Sequence, residues 1–144
     1  MTKNTYYEME VILLSNYCEI VVDILKKHKN LSIIKIAVFS FITKKNKFFK
    51  TNIYNLSNKK EIVLKCLSLL NGVFDDFCND LKYIIAAIDL LVKNHRIEII
   101  GQELFYNKNI EISLLDSENF IDLAIRESSL YSDEQFLKEV VSSV

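Results

Sequence analysis

Apolar positions recur at helical spacing along YYEMEVILLSNYCEIVVDILKKHKN, where Val11, Leu14, Cys18, Val21, Val22 and Leu25 share one periodic pattern. Thr5, with Glu8 three residues later, offers a capping box at its start. Lys26, Lys27, His28 and Lys29 gather at its end, where positive charge complements the helix dipole. The pattern predicts a first long amphipathic helix. The next stretch, LSIIKIAVFSFITKK, is apolar almost throughout, and its length favours helix over strand, with Ser32 as the cap. Only Lys35 and Ser40 interrupt it, so it should be buried on nearly every side, in a core or a subunit interface. Ile34, Val38 and Phe41 are its candidate core or interface positions.

Turn chemistry predicts a loop over KKNKFFKTNIYNLSNKK. Asn58 and Glu61 can then open a helix over EIVLKCLSLLN, which Gly72 is suited to end in the left-handed conformation. LKYIIAAIDLLVKN reads as a further helix whose polar residues, Lys82, Asp89 and Lys93, lie with Ala86 in one narrow stripe. Past Asn94 the period changes: Ile97 and Ile99 alternate with Arg96 and Glu98, and Gly101 and Gln102 permit a reversal into Glu103, Leu104, Phe105 and Tyr106. In this hairpin Ile97, Ile99, Leu104 and Tyr106 are expected to close a core or meet a partner protein. Helix, helix, hairpin is a winged-helix order. ENFIDLAIRES and DEQFLKEVVSSV add two short helices, the second with a capping box from Ser132 and Gln135 flanked by Tyr131 and Phe136 at staple positions. The expected fold is mainly α with a small β-hairpin: a winged-helix-like core at about 8–109 and an acidic C-terminal helical extension at about 110–144, within one domain of 144 residues.

Composition narrows the function classes. Half of the chain is apolar, enough to bury a core without disulfides or metal, and its three cysteines show no paired spacing, which predicts buried thiols in a reducing compartment. No apolar run is long enough to span a membrane and the start is polar and acidic, so a cytoplasmic location is expected. With two glycines there is no phosphate-binding loop, and the two histidines and three cysteines lack ligand-like pairing. No catalytic residue, cofactor or metal site is expected. Asp75, Asp76 and Asp80 lack the ordered oxygen series of a cation loop and read instead as acids at a helix N-terminus.

Charge is unevenly spread. Lys26 to Lys60 holds ten lysines and no acid, whereas Glu61 to Val144 holds fifteen acids against seven bases. Lys44, Lys45, Lys47, Lys50, Lys59 and Lys60 are therefore candidate contacts for DNA or an acidic partner. Phe48, Phe49 and Tyr54 interleaved with lysines are the combination that single-stranded nucleic acid binding uses, but aromatics that pin the loop onto the core while the lysines stay in water are the preferred reading. Base reading would want Arg, Asn or Gln on the second helix and basic residues on the wing; Asp89 on the helix, and Glu98 and Glu103 beside Arg96 on the hairpin, disfavour it.

The succession LLSNYCEIVVDILKKHKNLSIIKIAVFSFITKKNK, followed by LKYIIAAIDLLVKNHRIEIIGQELFYNKN, resembles the small middle component of bacterial three-component ABC-ATPase systems, the accessory subunit of Lamassu-type defence operons. The resemblance covers roughly residues 10–109 and rests on the order of elements. It implies a non-catalytic subunit that bridges or braces an SMC-like ATPase and an effector nuclease, with double-stranded DNA contacted through the complex. The alternative expectation is a free-standing winged-helix DNA-binding regulator using Lys44, Lys45, Lys47 and Lys50 on phosphates.

Overall fold

The computed structural model describes residues 3–45, 59–107 and 119–144. Its elements run α1 (Lys3–His28), β1 (Asn30–Ser32), α2 (Ile33–Lys45), α3 (Lys59–Ser68), α4 (Phe74–Lys93), β2 (Ile97–Ile100), β3 (Glu103–Tyr106), α5 (Phe120–Glu127), a 3-10 turn (Ser128–Leu130) and α6 (Asp133–Ser142). The fold is mainly α with a small antiparallel sheet, in the winged-helix-like order expected.

The sheet has one strand more than the hairpin predicts. β1 pairs with β3, Leu31 opposite Leu104, so the strand order is β1-β3-β2. The apolar run read as one helix from Leu31 is thus divided at Ser32. Before it the backbone is extended on β3; after it the helix begins, and the Ser32 hydroxyl accepts from the Lys35 backbone N–H at 3.3 Å, as a cap should. The Ile33 N–H donates to the Gln102 carbonyl at 2.9 Å, tying the start of α2 to the hairpin turn. Thr5 does not start α1, because the helix is already under way at Lys3.

α2 is the central element. Every residue from Lys35 to Ile42 is buried, because α1 and α4 cover one side and α5 and α6 the other. Tyr17, Val21 and Leu25 of α1, Ile84 and Leu91 of α4, and Leu67 of α3 join it in a continuous apolar core. The nearly all-apolar sequence of α2 is therefore consumed within the chain. α5 and α6 belong to the same core through Ile121, Ala124, Ile125, Phe136 and Val140, with the Phe39 and Phe136 rings 5.4 Å apart.

Helix ends are closed by local chemistry. At α4 the Arg96 N–H donates to the Leu91 carbonyl and the His95 N–H to that of Val92, a Schellman arrangement with His95 at φ +59°. Lys29 follows α1 at φ +65°. Gly72 and Gly101 also have positive φ, Gly101 as the first residue of the two-residue hairpin turn, where its missing Cβ suits the backbone. The box from Ser132 and Gln135 is present at α6, with Phe136 fully buried beyond it and Tyr131 packed on the core. α5 has a second box, from Asn119 and Asp122.

Candidate functional site

The hairpin positions divide along the strands: Ile97, Ile99, Leu104 and Tyr106 share one face, but on β2 burial fades toward the turn. Ile97 and Leu104 are fully buried in the core, and Tyr106 is half-buried against it. Ile99 and Ile100 lie on opposite faces of the sheet beside the turn at Gly101, where both are exposed, 44% and 60%. β2 lies at the sheet edge, so the tip of the wing is an apolar edge flanked by Glu98. On α2, Val38 and Phe41 are core residues and Ile34 is half-buried.

α4 occupies the place of a groove-reading helix, and its outward residues are Asp75, Asp76, Cys78, Asn79, Lys82, Ile85, Asp89, Leu90 and Lys93. Lys93 pairs with Asp89 at 2.8 Å along the same helix. This surface carries three acids against two lysines and is partly apolar. A polyanion would find little purchase on it.

Two of the candidate lysines are engaged inside the molecule. Lys44 reaches Asp80 at 2.9 Å and lies over the Tyr17 ring, whose hydroxyl donates to the same carboxylate at 2.5 Å. Burial, then the Asp80 carboxylate, raises the Tyr17 phenol well above its ordinary pKa, so it remains a donor. The network ties α1, α2 and α4 together. Lys45 pairs with Asp76 at 3.4 Å in a more exposed setting. Asp76 and Asp80 therefore answer lysines at the end of α2, and among the described residues no cluster could hold a metal ion. Lys59 and Lys60 begin α3. Lys47, Lys50, Phe48, Phe49, Tyr54 and Asn58 lie outside the described residues.

Two polar contacts join α5 and the turn after it to the N-terminal half. Lys35, only 8% exposed, donates its ammonium to the Ser128 and Tyr131 carbonyls at 2.9 and 2.7 Å. Its burial lowers its pKa, opposed by Asp133 and Glu103. Asp122 of α5 accepts from Lys27 at 3.2 Å and lies 3.6 Å from the Nε2 of His28. Burial alone would raise its carboxyl, but His28, Lys27 and the Asn119 N–H together hold it below the usual range. Neither contact was legible in the sequence, since the partners stand 90 or more residues apart.

The cysteines differ from the expectation that all three are buried. Cys66 is enclosed, and burial pushes its thiol up to about 12. Cys18 is half-buried, and Cys78 is exposed because it falls on the outward face of α4.

The stripe Val11, Leu14, Cys18 and Val22 of α1 lies along an open groove of about 600 Å³, completed by Leu90 and Arg96 from the end of α4. Ser15, Glu19, Asp23 and Lys26 form its polar margin. The first turns of α1 carry Tyr6, Tyr7, Met9, Val11 and Ile12, each more than half exposed. Of the six positions in the expected apolar pattern, Val21, Val22 and Leu25 are core residues while Leu14 and Cys18 are half-buried and Val11 exposed; Tyr17, fully buried, was not among them. No helix among the described residues is long and apolar enough to cross a membrane. No protein-family model, curated protein or solved structure matches this chain.

Proposed function

We propose that this chain is a non-catalytic, cytoplasmic accessory subunit that bridges or braces an SMC-like ATPase and an effector nuclease in bacterial defence against phage or plasmids. The observation that carries the reading is the wing tip, where Ile99 and Ile100 face solvent in place of the basic residues a DNA-contacting wing requires. Exposed apolar side chains at an edge strand suit a protein partner. The slight acidic excess on the outer face of α4 and the internal pairing of Lys44 and Lys45 support the same choice. A second apolar stripe, Leu137 and Val141 on α6, supplies a separate face for a second partner. DNA is then reached through the assembled complex.

The test is affinity purification of the tagged chain from its native cells. An ATPase with a coiled coil and a second, nuclease-like subunit should co-purify, and the double variant Ile99→Glu, Ile100→Glu should lose at least one of them while its thermal unfolding changes little, as expected for exposed positions. Salt-dependent binding of duplex DNA by the isolated chain, abolished when Lys44, Lys45, Lys47 and Lys50 are changed to Glu, would replace this reading with that of a DNA-binding regulator.

A further inference from the structure

A buried polar atom at the junction of α1 and α5 is left unsatisfied. The Nε2 of His28 has no hydrogen-bond partner among the described residues, although the Asp122 Oδ1 lies 3.6 Å away, just beyond hydrogen-bond reach. Both side chains are nearly enclosed, at 12% and 11% exposure. The other carboxylate oxygen is already taken: Oδ2 accepts from the Lys27 ammonium at 3.2 Å and from the Asn119 N–H at 3.4 Å, the latter within the box that starts α5. Oδ1 is left to the imidazole. Burial alone would raise the Asp122 carboxyl, but its contacts hold it below the usual range, so it is ionised wherever a histidine changes charge. Charged groups on the surrounding elements are engaged elsewhere. Lys26 lies over the Tyr106 ring, Lys35 of α2 donates to the Ser128 and Tyr131 carbonyls, Glu103 of β3 accepts from Asn30, and Arg126 and Glu127 of α5 stand 3.9 Å apart, while Lys29 is exposed.

A neutral imidazole meets this carboxylate badly. If Nε2 carries no proton, its lone pair faces a negative charge; if it carries the ring's one proton, the N–H stops short of a full hydrogen bond. An imidazolium donates from both nitrogens, and a charge-assisted bond to Oδ1 can close to about 2.7–2.9 Å. His28 is also the last residue of α1, where the helix carbonyls favour a positive charge. We propose that His28 and Asp122 form a pH-sensitive clasp, which fastens α5 to the end of α1 when His28 takes up a proton and loosens when the proton leaves. The direction follows from the partner. Asp122 is ionised on both sides of the transition, so the added charge meets its opposite, and the contact is complete below the histidine range and lost above it. α5 carries Ile121, Ala124 and Ile125 into the core, so the clasp sets how firmly that side of the core is closed.

The clasp belongs to the chain by itself and does not depend on the accessory-subunit reading. Urea denaturation of the full chain at about pH 8 and about pH 6 tests it, with His28→Gln as the variant, because glutamine keeps a donor but has no titrating proton. On going to the lower pH the wild type should gain about tenfold in its folding equilibrium relative to the variant. The other histidine, His95, is exposed and common to both proteins, so it cancels in the comparison. A purely structural His28 would make the variant weaker by the same factor at both pH values, and such parallel behaviour overturns the proposal. In an Asp122→Asn background His28→Gln should make no pH-dependent difference; one that survives there overturns the pairing. Should a variant fail to fold, the wild type answers alone. In an NMR titration the α5 amide resonances should shift in step with the His28 ring, and α5 resonances indifferent to that ring overturn the clasp.

Discussion

His95 has a side chain where the backbone asks for none. At φ +59° it occupies the left-handed position of the Schellman turn, where a Cβ costs roughly 1–2 kcal/mol and glycine is ordinarily used. His95→Gly relieves that strain at some cost in chain entropy, so chemical denaturation should show a stabilisation of about 0.5–1 kcal/mol. His95→Ala leaves the Cβ in place and should gain nothing. The same residue directs the chain from α4 into β2 and leaves Arg96 on the groove, so local strain and the shape of a surface are set together. Caps of this kind were partly legible. Ser132 with Gln135 announces α6 in the sequence, whereas the Asn119 and Asp122 box uses Asp at the third position and passes for an ordinary surface acid.

At the scale of elements, α2 explains what periodicity can and cannot give. A helix apolar on all sides predicts burial but not what buries it; here α1, α4, α5 and α6 do so, and the expectation of either a core or a subunit interface resolves to a core. Phe136 is where α6 joins that packing, fully enclosed beside Phe39. Phe136→Ala should cost about 3–5 kcal/mol in global unfolding. Truncating Leu137, its exposed neighbour, should cost far less, and equal losses would show that α6 does not pack as described. The hairpin and the long helices were readable because period 2 and period 3.6 differ clearly over their length. β1 was not, since three residues at the edge of an apolar run have no period of their own and are recruited by β3 from 73 residues away.

Across the whole molecule, ionic contacts join parts that are far apart in the chain. Asp122 couples α5 to the end of α1, and its carboxyl is held below the usual range in the folded state. Its contribution is therefore fully present above the ordinary carboxylate pKa and is lost as pH falls through the lowered folded value. The wild type should lose stability across that acid window, and Asp122→Asn should be less stable at neutral pH with a flatter acid limb. Parallel curves for the two proteins would remove Asp122 from the account. For the surfaces, composition alone was a poor guide: the lysine excess from Lys26 to Lys60 suggests a cationic patch, yet Lys27, Lys35, Lys44 and Lys45 all find acceptors within the chain.

Lys35 also sets a timetable. Its ammonium is made early, but the carbonyls that receive it belong to Ser128 and Tyr131, 93 and 96 residues later. A chain emerging from the ribosome therefore exposes the α2 segment well before the groups that seal its far side exist. Until then the flank that α5 and α6 cover has no protein to cover it, and Lys35 is the one charge among the core positions of α2. Closure of the core around Lys35 is therefore an act of residues made much later in the chain.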